Sequence, residues 1–332
     1  MQKQQLGRTD LNVSRLTFGC GAVGGLMTRG EAADQDRAVA WARDNGINFF
    51  DTAASYGDGA SERNLGRALA GNTDGIVVST KVGVPLAELH DVETLVERSL
   101  NASLQRLRLD HVDLLQLHNS IGESDRHGLL DASQVLDAVI PAFEKLRQAG
   151  KTRYLGFTAK GTTEQLQQLV QSGHFDSAQI FYNILVPSAG ESAIADYPAQ
   201  DYQQLLQLAS SHGVGAIGVR VLAGGALSGT EQRHPLGMPS VSPIGSATDY
   251  ATDVQRGLRF TSLIDAGVAE DLVELAVRYV ISNPSLPTTE IGIATLEQLQ
   301  HAANAVNRGP LDESTLVRVR EIQASLVAGA SA

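Results

Sequence analysis

The sequence predicts an α/β fold, a (β/α)8 TIM barrel with an N-terminal β-hairpin and a long loop after strand seven. Three observations carry this reading. From residue 16 onward, short apolar and often β-branched runs alternate with longer segments of helical period, the pattern of βαβ units and a parallel sheet. Eight such runs occur with no spare element, which fits a closed barrel better than an open doubly wound sheet. The length of 332 residues, 42% hydrophobic and 19% charged, is enough for one large core, so residues 1–332 are expected to form a single domain.

The chain opens with polar turn material, Gly7-Arg8-Thr9-Asp10, between short β-like pieces, so residues 1–15 are expected to form a hairpin closing the barrel bottom. Strands follow near 16–19 (LTFG), 47–50 (INFF), 76–80 (IVVST), 112–117 (VDLLQL), 153–157 (RYLGF), 178–181 (AQIF), 214–219 (VGAIGV) and 289–293 (TEIGI). Helices fit near 31–45, 61–70, 92–108, 133–149, 163–172, 201–212, 270–282 and 296–307. Asn45-Gly46, Ala70-Gly71, Ala149-Gly150 and Ser172-Gly173 place glycine just past four of them, where a left-handed residue ends a helix. Residues 220–269 are rich in Gly, Ser and Pro and follow strand seven at the face where barrel active sites sit. They read as a mobile lid over the ligand, or as a disordered insertion without consequence.

A formal net charge of −11 disfavours nucleic acid and anionic membrane surfaces as partners and points to a small molecule. Cys20 is the only cysteine, so an intramolecular disulfide and a multi-cysteine metal cluster are excluded. The N-terminus MQKQQLGRTDLNV has no apolar h-region, and no stretch approaches the roughly 18 to 20 apolar residues that span a bilayer. A soluble, cytoplasmic protein is expected. Scattered apolar helix positions do not separate barrel packing from an interface, so oligomeric state is unreadable.

A parallel barrel delivers the last residues of every strand to one rim, so polar groups past the strand ends converge. Asp51 follows INFF, Lys81 follows IVVST, His118 follows VDLLQL, and Tyr56 lies in the loop DTAASYG. Each alone has an ordinary reading: Asp51 as a helix cap, Lys81 as a surface charge or Schiff-base amine, His118 as a rim histidine or metal ligand, Tyr56 as packing. Together they suit carbonyl reduction by hydride transfer, where an acid must protonate the developing oxyanion. A phenol serves if a nearby ammonium lowers its pKa; Lys81 and Asp51 fit as ammonium and paired carboxylate, and His118 as a hydrogen-bond donor to the carbonyl oxygen.

The strings FDTAASYG, STK and LLQLH, in that order and spacing, resemble the aldo-keto reductase superfamily. The resemblance runs from QLGRTDLNVSRLTFGCG to IGIATLEQLQ, nearly the whole chain. It implies an oxidoreductase that moves a hydride between NADP(H), or NAD(H), and an aldehyde, ketone or sugar. By the same likeness Tyr56 is the general acid or base and Asp51, Lys81 and His118 complete the catalytic tetrad. It also implies a cofactor bound in an extended pose across the barrel mouth.

Cofactor contacts follow from the same likeness. Gly21 and Ala22 approach the nicotinamide half, and Thr158 in GFTAK and Gln179 in AQIFYN hold its carboxamide. Ala159 departs from the pattern, since asparagine usually follows the hydroxyl residue; that contact is missing or taken by Lys160. The segment VRVLAGGALSG, with Val219, Arg220 and Leu222, resembles the pyrophosphate-side loop. Val219 stands where an aromatic ring commonly stacks on the nicotinamide, and Arg220 is placed to compensate by stacking or by pairing with phosphate. Gly292, Thr295 and Gln298 match the segment for the 2′-phosphate and adenine. Ala294 does not, because many NADP-preferring members carry Arg or Lys nearby; NADP(H) is still expected from the superfamily's habit.

Other features are read as structural. The glycines of Gly19-Cys20-Gly21-Ala22-Val23-Gly24-Gly25 make a poor Rossmann fingerprint, because no second mononucleotide half follows. Glu97-Arg98-Ser99-Leu100-Asn101 with Arg106 and Arg108 reads as a solvated helix face. His111, His127, His174, His212, His234 and His301 lack zinc spacing, so no metal is expected. Val77, Val78, Leu114, Leu115 and Leu117 read as barrel filling. Two other functions share the residues: a metal-assisted isomerase or aldolase using Asp51, His118 and a Schiff-base Lys81, and a nicotinamide-binding regulatory module, since the resembled superfamily includes ion-channel β-subunits. Substrate choice is assigned to the loop after strand seven, residues 119–132 and residues 183–200.

Overall fold

A computed structural model describes residues 1–123 and 129–328. Its strands are β1 Lys3–Gln5, β2 Asn12–Ser14, β3 Leu16–Gly19, β4 Phe49–Asp51, β5 Val77–Val82, β6 Val112–Leu117, β7 Thr152–Thr158, β8 Ser177–Phe181, β9 Gly215–Val219 and β10 Thr288–Gly292. β1 and β2 pair antiparallel, and β3 to β10 close into a parallel barrel in which β10 pairs with β3 and β9. This is the predicted (β/α)8 barrel with its hairpin.

Helices fill the eight expected places. Ala32–Asp44, Ala60–Leu69 and Val92–Leu107 are followed by one helical path from Ala132 to Gln148, then by Thr163–Gln171, Leu205–Ser211, Leu272–Ile281 and Leu296–Arg308. The path from Ala132 passes through a π-helical turn at Val135–Val139, just before Pro141, whose ring nitrogen has no hydrogen to donate. Gly46 and Gly150 end their helices at φ 78° and 71°.

The side-chain period of two sorts the strands into layers. Phe49, Val77, Leu114 and Ile217 pack with Leu6, Leu11 and Val13 of the hairpin segment as an apolar floor. Val78, Leu115 and Leu117 belong instead to the larger core between barrel and helices, so the residues read as barrel filling divide by parity. One layer above the floor, the same parity yields Asp51, Ser79 and Gln116, and the interior turns polar.

Several expectations change. β5 runs on to Val82 because Lys81 pairs with Gln116 and Val82 with Leu117, so Lys81 lies within the strand; Asp51 likewise ends β4. Residues 220–269 are not a disordered insertion: they hold a 3-10 stretch at Ala223–Ser228 and helices Tyr250–Leu258 and Thr261–Asp265. Asp249 starts the first of these helices, accepting from the Thr252 N–H at 2.8 Å. A last helix, Glu313–Ala328, was not assigned from the sequence; it buries Thr315, Val319, Gln323 and Leu326. Arg106 is no solvated charge, because it pairs at 2.6 Å with the fully buried Glu62. His127 lies outside the described residues. No described helix is long and apolar enough to cross a membrane.

Candidate active site

The barrel register brings the polar residues together. Gly19 pairs with Asp51, Asp51 with Ser79, Lys81 with Gln116 and Thr158 with Gln179, so neighbouring strands carry polar side chains at or next to the ends of their ladders at one mouth. Tyr56 arrives from the loop after β4. Gly57, Asp58 and Gly59 take φ of 59°, 51° and 77°, a left-handed run that turns the chain into helix Ala60–Leu69; glycine adopts it without strain, and aspartate tolerates it better than most residues. Ser61 ties this loop down, donating to the Cys20 carbonyl at 2.9 Å and bonding Thr52 Oγ1 at 2.7 Å.

Lys81 is almost fully buried and its ammonium is shared three ways. It donates to Asp51 Oδ2, to the Thr52 carbonyl at 2.8 Å and to the Tyr56 hydroxyl at 3.1 Å, and lies 4.7 Å from the centre of the Tyr56 ring. The other Asp51 oxygen accepts from Ser79 Oγ and, at 2.9 Å, from Gln116 Nε2. The His118 ring meets Tyr56 edge-on, with centroids 5.7 Å apart. The four residues singled out in the sequence are thus one cluster.

Its electrostatics follow from burial. Burial pulls the Lys81 ammonium down, but Asp51, Tyr56 and Glu290 together hold it well above its ordinary range. The Tyr56 phenol is pushed up to about 12, mainly by burial and then by Asp51 and Glu290, against the opposing effect of Lys81. The sequence argument expected a lowered value; desolvation of the phenolate outweighs the ammonium, which is itself neutralised by Asp51. Burial and then Lys81 lower His118 to about 4. At neutral pH the cluster presents a protonated phenol, a neutral imidazole and an ammonium that is an ion-pair partner rather than a nucleophile.

One residue of the cluster was not singled out from the sequence. Glu290 in β10 pairs in register with Thr17, lines the cavity, and is in hydrogen-bonding reach of Asp51; its Oε2 accepts from Gln179 Nε2 at 2.7 Å. Burial and then Asp51 push its carboxyl well above the ordinary range, because two carboxylates beside one ammonium leave one negative charge too many. Gln179 Oε1 in turn accepts from Thr158 Oγ1 at 3.2 Å. A chain of hydrogen bonds therefore joins Thr158 and Gln179 to the tetrad through Glu290. The available signal was a lone carboxylate inside a strand, at the parity of Thr288 and Gly292.

Above the cluster lies a cavity of about 810 Å³. Gly21, Ala22, Tyr56, His118, Thr158, Gln179, Val219, Arg220, Leu222, Gly292 and Gln298 all line it, so all but one of the expected cofactor residues share a single space. Thr295 lies outside the lining and caps helix Leu296–Arg308, accepting from the Gln298 N–H at 3.3 Å. An aromatic ring stands one strand away from Val219: Phe181 pairs with Val219 in register and lines the same cavity. The space suits an elongated dinucleotide, with amide and hydroxyl groups beside Tyr56 and a helix N-terminus at the far end.

A barrel with this polar cluster at the strand ends and a long cleft above it is of the kind built to bring a small molecule against a bound cofactor. The chain belongs to the aldo/keto reductase family, which it matches over residues 15–324. It is 30% identical to an L-galactose dehydrogenase of Arabidopsis thaliana across 97% of this chain and 94% of that one. It is 28% identical to a probable voltage-gated potassium channel subunit beta of the same plant, across 94% and 93%. An aldo-keto reductase of Bacillus halodurans, solved in its holo form, superposes with a TM-score of 0.71 at 25% identity, covering 97% of this chain and 96% of that one.

Proposed function

We propose that the protein is a nicotinamide-dependent oxidoreductase acting on an aldehyde, ketone or sugar carbonyl, or on the corresponding alcohol, with Tyr56 as its general acid and base. The observation that carries this is the contact of the Tyr56 hydroxyl with Lys81 Nζ at 3.1 Å beside the His118 ring. When bound, the nicotinamide supplies or accepts the hydride. In reduction Tyr56 gives its proton to the carbonyl oxygen as charge develops there, and Lys81, held by Asp51, stabilises the phenolate left behind. His118, neutral at physiological pH, orients the carbonyl by hydrogen bonding. Gln179 and Thr158 are the seats for the nicotinamide carboxamide, with Glu290 fixing the Gln179 amide.

The choice of dinucleotide is decided at the far end of the cleft. There Glu297 and Gln298 line the space, and β10 and the first turn of the following helix contribute no lysine or arginine. A carboxylate repels a 2′-phosphate and accepts hydrogen bonds from a ribose, so these residues favour NAD(H) over the NADP(H) expected from the superfamily.

Lys81, fixed as an ammonium by Asp51, argues against the Schiff-base aldolase reading. The channel-subunit relative keeps a regulatory binding role as the second reading. Absorbance-monitored turnover with NADH and NADPH on aldehydes, ketones and sugars tests both, with Tyr56→Phe alongside. Turnover that falls about a thousandfold or more in the variant, with cofactor binding retained, is the expected result. Tight cofactor binding with no turnover on any carbonyl would favour the binding module.

A further inference from the structure

Beside the main cavity lies a second recess of about 500 Å³. Lys160 and Arg220 line both spaces and stand where they meet. Lys160 is exposed and Arg220 half-buried. The Lys160 ammonium has no hydrogen bond or ion pair among the described residues. The half-buried Arg220 guanidinium has a single long bond, from Nη1 to the Ser242 carbonyl at 3.3 Å, and no carboxylate. Burial holds that guanidinium below its ordinary value, with Tyr56 and Asp253 opposing the shift from beyond ion-pair distance. No aspartate or glutamate lines the recess.

A second observation points to a ligand. Tyr202 is fully buried, lines the recess, and its hydroxyl has no partner. A buried hydroxyl without a partner is costly unless something completes it. The recess therefore offers two cations, with the unpartnered Tyr202 hydroxyl sealed in its wall, the complement of an oxyanion. Both cations also line the main cavity with Tyr56 and His118. A group held between them borders the space that these two residues line.

We propose that the recess between Lys160 and Arg220 seats an anionic group, a carboxylate or a phosphate, carried by the carbonyl substrate itself. The inference rests on the oxidoreductase reading and narrows its substrates to carbonyl compounds with a negative charge at the far end of the molecule. The planar fork of Arg220 suits either oxyanion, with Lys160 as the opposing point charge. The competing source of the same chemistry is the cofactor pyrophosphate, which the experiment separates.

The test compares para-carboxybenzaldehyde and para-formylphenyl phosphate with the neutral methyl ester of the former, in the wild type and in Lys160→Met, with NADH affinity measured in each. Expected is a preference of about tenfold or more in kcat/KM for at least one anionic aldehyde, carried by KM and erased in Lys160→Met, with NADH affinity unmoved. Equal kcat/KM for charged and neutral aldehydes in the wild type overturns the proposal. So does a variant that loses NADH affinity yet keeps the preference, since the charge then serves the cofactor. Calorimetric titration of para-(hydroxymethyl)benzoate needs no turnover: saturable binding lost in Lys160→Met supports the site even if nothing is reduced, and no binding sinks it.

Discussion

The amide of Gln179 donates to the carboxyl of Glu290 at 2.7 Å, and Glu290 reaches Asp51, so an amide of the cavity wall is linked to the buried Asp51–Lys81 ion pair. Burial and then Asp51 push the Glu290 carboxyl well above the usual carboxylate range. A carboxyl raised in this way lends its stability below its unfolded pKa and loses it as pH rises towards the folded value. The wild-type Tm should therefore decline as pH climbs from about 5, above the ordinary glutamate value near 4.3. Glu290→Gln, which mimics the protonated form, should flatten part of that decline. Parallel Tm curves for the two proteins would show that Glu290 ionises normally.

The pH profile separates the tetrad from ordinary groups. Reduction by the proposed mechanism needs a protonated Tyr56, lost only towards about 12, and a neutral His118, lost only towards about 4. The kcat/KM for reduction should be level from about pH 6 to pH 9, without the step near 6.5 that an unperturbed histidine gives or the fall near 10 of an ordinary phenol. A step near 6.5 that vanishes in His118→Asn would show that His118 is not held neutral.

The buried ion pair is expected to matter to the fold as well as to the chemistry. Asp51→Asn or Lys81→Met alone leaves a charge without its partner and should cost about 3 kcal/mol in denaturant unfolding, along with activity. The double variant Asp51→Asn/Lys81→Met should be less destabilised than the sum of the singles and remain inactive. Strict additivity in that cycle would mean the two side chains do not act as a pair.

Dinucleotide choice is testable at one exposed residue. Glu297 lines the far end of the cleft in the first turn of helix Leu296–Arg308. Glu297→Arg should raise the ratio of NADPH to NADH affinity by about tenfold, read by fluorescence titration without any substrate. An unchanged ratio would remove Glu297 from the adenosine end.

The order of the residues is enough for the barrel and for gathering Asp51, Tyr56, Lys81 and His118 at its mouth. Alternating β and α periods fix the number of units, and closure of a parallel barrel carries Asp51, Lys81 and His118 to one rim whatever lies between them. The helices in residues 220–269 were hidden because glycine, serine and proline mask the period there, and the last helix because the count of units was already complete. The fold alone settled what register, burial and side-chain pairing control: that Glu290 meets Gln179 and Asp51, that Phe181 stands beside Val219 in the cavity wall, and that Thr295 caps a helix outside the cavity lining. The direction of the Tyr56 shift belongs to the same class. Lys81 beside a phenol predicts a lowered value, but the sign depends on how much water the fold leaves at the hydroxyl and on whether a carboxylate has already neutralised the lysine.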